Sequence, residues 1–417
     1  MSILIKNVTL NQKKTDILIK DGKFDKIGKL NGVHADEILN GEDKAVLPAF
    51  YNMHTHASMS LLRGYSDDKN LFDWLRQDIW PIEEKLTADD IYVASKLAAA
   101  EMIHSGTAGF CDMYFEQAST MRAVDETGLR ALISFVEMDM FNNEMVTQKI
   151  KGTQEFLNLS NPCPERIEKI IAVHSVYMAS DTMLNFAYET ATKNNMKLNI
   201  HACETKKEVD DCYEQNGCSP IEKLYKHKLL GKNTILAHSV WLNEKDIELI
   251  KETETTVCTN PASNMKLCSG IFDFEALSKA GCKITLGTDG ASSNNNLNMI
   301  DEMKLLAFGS KIRSMIPTTA TAAEVFKIAS LNGARFFGID AGEIAEGKIA
   351  DCQLVDLNNV FLTPAYNLIS NMVYSADSSC VDTVICDGKI LMQNGVIPWE
   401  KETIAQARQV CADLIKR

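Results

Sequence analysis

The chain has 417 residues, 45% hydrophobic and 24% charged, an ordinary balance for a globular protein with room for one large α/β domain and a smaller one. Its 56 acidic and 43 basic residues give a net charge of −13, which argues against a nucleic-acid partner, because phosphate binding needs a basic surface. No apolar run approaches a membrane span, so no membrane partner is expected. The twelve scattered cysteines, without a C-x-x-C, fit free thiols in a reducing cytoplasm.

Met1 to Lys6 reads as a short strand rather than a signal peptide. Short alternating strands continue to about residue 45, with Asp21-Gly22 as a hairpin turn. Ala45 to Phe50 is a buried strand that runs into His54-Thr55-His56. On an extended strand residues i and i+2 point the same way, so the two imidazoles project together. Thr87 opens a helix to His104 in N-cap style, and Asp181 to Asn194 is another. Further strands are expected to end near Asp112, Glu137, His174, His201, His238, Asn260 and Asp289. Toward the end, Ala350–Asp356 and Val381–Cys386 read as strands, Asp387-Gly388 as a hairpin turn, and Trp399–Arg417 as a closing amphipathic helix.

Eight strands alternating with helices is what a closed parallel barrel needs. The expected fold is therefore an α/β (β/α)8 TIM-like barrel over residues 48–345. Residues 1–47 and 346–417 would build a small flanking β-sandwich domain with the terminal helix. In such a barrel all strand C-termini open on one face, so residues remote in sequence converge there. A doubly wound open sheet would not bring His56 and Asp289 together.

Each strand-end histidine alone is compatible with a buried structural role; five of the chain's eight at strand ends are not a random scatter. His54, His56, His201 and Asp289 are assigned as ligands of one divalent metal, a set that suits zinc and also ferrous iron. Such an ion would lower the pKa of a bound water toward neutrality, and Asp289 could take its proton. His238 could be a further ligand; the preferred role is a hydrogen bond to the attacking hydroxide. The fourth strand ends in His174 and offers no bridging lysine, which favours one metal over two. Glu204, three residues after His201, can protonate a substrate ring nitrogen and pass the proton to a leaving amine. His174 is placed to hydrogen-bond the substrate. Cys203 is read as packing, facing away from His201.

Residues 48–66, P-A-F-Y-N-M-H-T-H-A-S-M-S-L-L-R-G-Y-S, resemble the amidohydrolase superfamily. The narrower likeness is to its 5′-methylthioadenosine/S-adenosylhomocysteine deaminase group, with the chlorohydrolase relatives nearby. P-I-E-E-K-L-T at 81–87, F-C-D-M-Y-F at 110–115, H-A-C-E at 201–204, A-H-S-V at 237–240, N-P-A-S-N-M-K-L at 260–267 and L-G-T-D-G-A-S-S-N-N-N-L-N at 286–298 extend it over nearly the whole chain. The resemblance implies a (β/α)8 barrel with a flanking β-sandwich, one metal, and hydrolytic deamination of a purine. It places the ligands on His54, His56, His201 and Asp289. Substrate contacts fall on Glu83, gripping ribose hydroxyls, and on His174, Glu204 and Asp289 around the purine.

One departure bears on the substrate. Members that accept S-adenosylhomocysteine place an arginine just after the stretch matching Gly128–Leu132 and another some twelve residues on; here Phe135 stands at the first position and no arginine lies between Arg130 and Arg166. An amino-acid carboxylate wants an arginine fork, so neutral 5′ groups are expected, with the 5′ end near Phe135 and Glu137. A guanine, cytosine or triazine aminohydrolase or chlorohydrolase on the same scaffold is the alternative, and a catalytically inactive metal-binding homologue is another. The substrate is a small molecule in either enzymatic reading; a homo-oligomer is compatible with the sequence.

Overall fold

The structure, a computed structural model, describes residues 1–417. Strands β1 (Ser2–Leu10), β2 (Lys13–Lys20), β3 (Lys23–Gly28), β4 (Glu37–Asn40) and β5 (Lys44–Pro48) come first. The next eight are β6 (Phe50–Thr55), β7 (Thr107–Met113), β8 (Arg130–Glu137), β9 (Ile167–Val173), β10 (Leu198–Ala202), β11 (Thr234–His238), β12 (Thr256–Thr259) and β13 (Lys283–Leu286). Strands β14 (Cys352–Asp356), β15 (Val381–Cys386) and β16 (Lys389–Met392) follow.

Strands β6 to β13 pair in chain order, every neighbour parallel, with helices between them. This is the nearly closed (β/α)8 barrel. Its strands are buried on both sides, as a parallel sheet under helices requires. The seam between the first and last strands is closed just beyond β13. The backbone N–H groups of Thr288 and Asp289 donate to the His54 carbonyl at 3.2 and 3.0 Å. Asn52 and Thr288 exchange two hydrogen bonds, at 2.7 and 3.0 Å. Gly287 passes so close to His54 that a Cβ there would lie 2.7 Å from its backbone, so only glycine lets the seam close.

The two chain ends meet in one eight-stranded mixed sheet, order β16-β15-β14-β5-β1-β2-β3, with β4 pairing β1. They share one continuous sheet because β14 pairs β5 along its whole length, from Cys352–Pro48 to Asp356–Lys44. Ile3, Ile5, Ile17, Ile19 and Phe24 pack with Cys352, Leu354 and Ile385 as its core. Asp21-Gly22 and Asp387-Gly388 are both hairpin turns with two positive φ values, which Asp-Gly favours. The two turns abut, so a Cβ on Gly388 would lie 3.0 Å from the Gly22 Cα.

A buried ionic junction joins the sheet to the floor of the barrel. Arg130 on β8 donates to Asp351 at 2.7 and 3.2 Å and to Asp387 at 3.0 Å, while Tyr51 on β6 donates to Asp351 at 2.8 Å. The helix Ala88–His104 starts at Thr87 with a reciprocal cap to Asp90. The terminal helix Glu400–Leu414 packs on it through Ala407 against Val93 and Ala94, and Arg417 pairs with Asp90. No helix is long and apolar enough to cross a membrane.

Candidate active site

Parity decides which side chains enter the barrel. On β10, Asn199 and His201 face inward while Leu198 and Ile200 join the outer core. Asn199 Nδ2 lies 3.4 Å from His54 Nδ1 and 3.3 Å from Cys111 Sγ, so side chains from β6, β7 and β10 meet across the interior. On β11, Leu236 joins the outer core. His238 would follow it, but its φ of 72° turns its side chain into the cavity instead. Asp289, with φ 60°, is held in the same unfavourable region. Left-handed non-glycine residues cost on the order of 1–3 kcal/mol and cluster at functional sites.

His54, His56, His201 and Asp289 converge at the C-terminal mouth of the barrel, with one ligand-type atom of each within 4.8 Å of the others. His56 Nδ1 lies 2.5 Å from the Met113 carbonyl and His201 Nδ1 lies 2.7 Å from the His174 carbonyl. A carbonyl only accepts, so both Nδ1 atoms carry a proton and both Nε2 atoms face the cluster. His201 Nε2 lies 3.1 Å from His54 Nε2. Asp289 Oδ1 lies 3.1 Å from His56 Nε2 and 3.5 Å from His54 Nε2. Lone pairs aimed at one another call for a cation between them. Two ligands of one tetrahedral zinc, each at ~2.0–2.1 Å, would stand about 3.3 Å apart, which these separations bracket. Burial holds His54 down to about 4 and His201 well below the ordinary histidine range, so both are neutral imidazoles. The donor set fits a divalent metal. The buried Asn199 carbonyl oxygen has no partner, and turning that amide over would let it accept from His54 Nδ1–H.

Around the cluster, Asp289 Oδ2 accepts from Ser263 at 2.6 Å and Ser293 at 2.8 Å. Burial pushes Asp289 up, but the facing imidazoles of His54 and His56 more than offset this, and it lies well below the usual carboxylate range. His238 Nδ1 meets Asn264 Oδ1 at 2.8 Å, which fixes a proton there and turns Nε2 toward Glu204 Oε2, 3.8 Å away. Glu204 follows β10 and is 5% exposed. Its backbone N–H and that of Cys203 donate to the Glu208 carboxylate at 2.8 and 3.0 Å, and Ser269 donates to its Oε1 at 3.2 Å. Burial raises Glu204 above the ordinary range. Cys203 is buried in the outer core, as a packing residue should be, but it lies beyond the strand, with φ 54°, so strand alternation is not what turns it away.

These groups open into a cavity of about 380 Å³ that also takes in Glu83, Tyr114, His174 and Tyr177. Glu83 ends a helical stretch that begins at Leu71, and Tyr114 donates to its Oε1 at 2.5 Å. Burial pushes Glu83 up to about 7 against that hydrogen bond, and burial holds His174 down to about 3. Glu84, its neighbour, is exposed.

Phe135 and Glu137 do not border this cavity, contrary to the sequence expectation. Period-two alternation on β8 sends Val136 inward, with Met138 just beyond, and turns Phe135 and Glu137 outward. Phe135 packs on Phe156 and Gly152, and Glu137 accepts from Thr153 at 2.5 Å. No lysine or arginine lines the cavity; its wall includes Trp74, Trp80, Met138 and Met140. Sequence reading did not single out Ser263, Asn264, Ser293, Asn199 or Tyr114. The clustering of Ser and Asn beside two strand ends, at 260–264 and 288–298, was the available signal.

The sequence is similar to a 5′-deoxyadenosine deaminase of Methanosphaera stadtmanae, 42% identical over 398 residues and 94% of each chain. It is equally similar to a 5-methylthioadenosine/S-adenosylhomocysteine deaminase of Thermococcus sibiricus, 42% identical over 402 residues and 94% of each. The fold superposes on an adenosine deaminase from Xanthomonas campestris with bound zinc at a TM-score of 0.91, with 28% identity, covering 100% of this chain and 98% of that one. The Amidohydrolase family matches residues 45–391. That match runs from β5 through the whole barrel to β16 and takes in all four converging donors, and on it this chain belongs to the amidohydrolase family.

Proposed function

We propose that this chain is a metal-dependent hydrolytic deaminase. It would exchange the 6-amino group of an adenosine-type nucleoside for the oxygen of water, giving the inosine analogue and ammonia. The observation that carries this reading is the buried carboxyl of Glu204 beside one converging donor set that includes Asp289, at the base of a nucleoside-sized cavity. The similarity to relatives named as deaminases of 5′-deoxyadenosine and 5-methylthioadenosine supports it.

His54, His56, His201 and Asp289 would hold one divalent cation, zinc in the first instance, with ferrous iron also suited to the set. When bound, that cation supplies hydroxide at neutral pH by acidifying a water. Asp289 receives a proton, its carboxylate kept in place by Ser263 and Ser293. Glu204, raised by burial, keeps a proton to give to a purine ring nitrogen and then to the departing amine. His238 turns its Nε2 toward the cavity, its ring oriented by the hydrogen bond from Nδ1 to Asn264. His174 contacts the base as a neutral imidazole, and Glu83, held by Tyr114, accepts from the ribose hydroxyls.

The wall favours neutral 5′ groups over an amino-acid tail. Arg76 and Lys207 line only an adjoining cavity of about 270 Å³, where Lys207 is already paired with Asp211 at 2.6 Å. An unpartnered carboxylate in the main cavity would cost a few kcal/mol, roughly tenfold in kcat/KM per 1.4 kcal/mol. The test is ammonia release from adenosine, 5′-deoxyadenosine, 5′-methylthioadenosine and S-adenosylhomocysteine, with guanine, cytosine and triazines alongside. The expected order puts the three neutral nucleosides first. Equal or better turnover of S-adenosylhomocysteine would overturn the specificity argument. Turnover confined to the bases or triazines would move the assignment to another hydrolase on this scaffold. No ammonia from any of them would leave a metal-binding protein without catalysis.

A further inference from the structure

Glu302 sits on the helix Met299–Ser314, fully buried and outside the cavity wall. No lysine, arginine or histidine pairs with it. A buried carboxylate without a cation is costly unless its oxygens are well satisfied. Both of its oxygens are used. Oε2 accepts from the backbone N–H of Ala262 at 3.0 Å, and Oε1 accepts from Asn294 Nδ2 at 2.5 Å. Asn294 Nδ2 also donates to the Thr288 carbonyl at 2.7 Å.

These two partners lie on the two segments that arrange the site. Ala262 leads into Ser263, which donates to Asp289, and Asn264, which orients His238. Asn294 closes the loop that carries Asp289 itself and Ser293, the second donor to Oδ2. One carboxyl therefore ties the segment after β12 to the segment after β13, directly behind both Asp289 and His238. We infer that Glu302 is a positioning residue for the hydrolytic site, holding Asp289 and His238 in register through these two segments.

A carboxylate is the side chain the task requires. It accepts from two separate N–H donors through two equivalent oxygens. Glutamine has the same volume but would set an NH2 against one of those donors. Burial pushes Glu302 up to about 8 against the same two hydrogen bonds, so both oxygens accept in full only above that pH, and the variants are compared at about pH 9. The nearby like charges are Asp301 on its own helix and Asp289.

The inference rests on the deaminase reading, and its test carries one readout that does not. Wild type, Glu302→Gln and Asn294→Ala are compared in the full chain. The Glu302→Gln protein should keep near one equivalent of metal and an unfolding midpoint close to wild type. Its kcat for ammonia release from 5′-deoxyadenosine should fall by about tenfold or more, the worth of one charge-assisted hydrogen bond, with KM within about threefold. The visible absorption of the cobalt(II)-loaded protein should change shape, because Asp289 shifts against its neighbours. Combining Glu302→Gln with Ser263→Ala should lose less than the product of the two single losses. A superimposable cobalt spectrum with wild-type kcat would overturn the inference. So would a loss of kcat matched by equal losses of metal and of unfolding midpoint, the mark of a packing defect. If Glu302→Gln does not fold, Asn294→Ala cuts the tie on one side alone and must show the same selective loss of kcat; wild-type kcat there overturns the inference. If wild-type protein deaminates nothing, the deaminase reading fails, and the cobalt spectrum still decides the role of Glu302.

Discussion

Tyr114→Phe removes a single hydroxyl, and the structure gives that hydroxyl a definite task. It donates to Glu83 Oε1 at 2.5 Å. Burial pushes the Glu83 carboxyl from 4.5 up to about 7, and the Tyr114 hydrogen bond opposes the rise. A hydrogen bond to a charged acceptor is worth ~1.5–3 kcal/mol. At about 1.4 kcal/mol per pKa unit, its loss should raise Glu83 by about one to two units more. The sign then follows from the ribose-binding role proposed for Glu83. Ribose hydroxyls donate, so they are held best by the ionised carboxylate, which is populated above its pKa. In wild type, KM for a neutral adenosine nucleoside should fall as pH rises through about 7 and level off above it. In Tyr114→Phe the same fall should occur about one to two units higher. One unit below the displaced midpoint only about a tenth of the carboxyl is ionised, so KM there should be roughly tenfold raised. Saturating kcat should hardly move, because the ribose end is remote from the amine. The assay is ammonia release at a series of substrate concentrations, over a pH range spanning both midpoints. Coincident KM–pH curves would refute the role of Tyr114. A displaced kcat profile with unmoved KM would place Glu83 in the chemistry rather than in the grip on ribose.

Glu204→Gln should fold and retain metal but lose ~10²–10⁴-fold in kcat, since glutamine keeps the shape and lacks the transferable proton; near-normal turnover would remove Glu204 from the mechanism. Protein purified without added metal should contain near one equivalent, because the fourth barrel strand leads into His174 and supplies no bridging lysine. Chelation should abolish ammonia release and lower the unfolding midpoint, with zinc restoring both. Two equivalents per chain would sink the single-metal scheme.

What the sequence disclosed depends on how local each signal is. His54 and His56 were legible because strand alternation alone aims them together, and His201 and His238 because each closes a short apolar run. The barrel followed from counting such runs. Phe135 and Glu137 were misplaced although the needed signal was local: parity sends Val136 inward, and nearness in sequence to the family's arginine position was the wrong guide. Glu83 was reached through resemblance alone. Both carboxyls border the cavity, but only Glu83 is part-buried and held by Tyr114, while Glu84 is exposed at its rim.

Ser263, Asn264, Ser293 and Glu302 belong to a different kind of information. Each acts through a partner 4 to 40 residues away, so the clustering of Ser and Asn marks the segments but no periodicity in the chain assigns their contacts. Their partners are set by the closing of the barrel. Once Gly287 lets the chain pass against His54, the N–H groups of Thr288 and Asp289 bond to the His54 carbonyl. Asp289 is thereby fixed beside the histidines of the first strand in a backbone conformation it would not choose. A residue held in that conformation needs its side chain restrained from more than one side. The two serines supply that restraint, and the segments bearing them are joined by one buried carboxyl on the following helix. The catalytic geometry is thus a consequence of where the barrel is sewn shut, and the polar residues around the seam are the part of the site that only the closed fold defines.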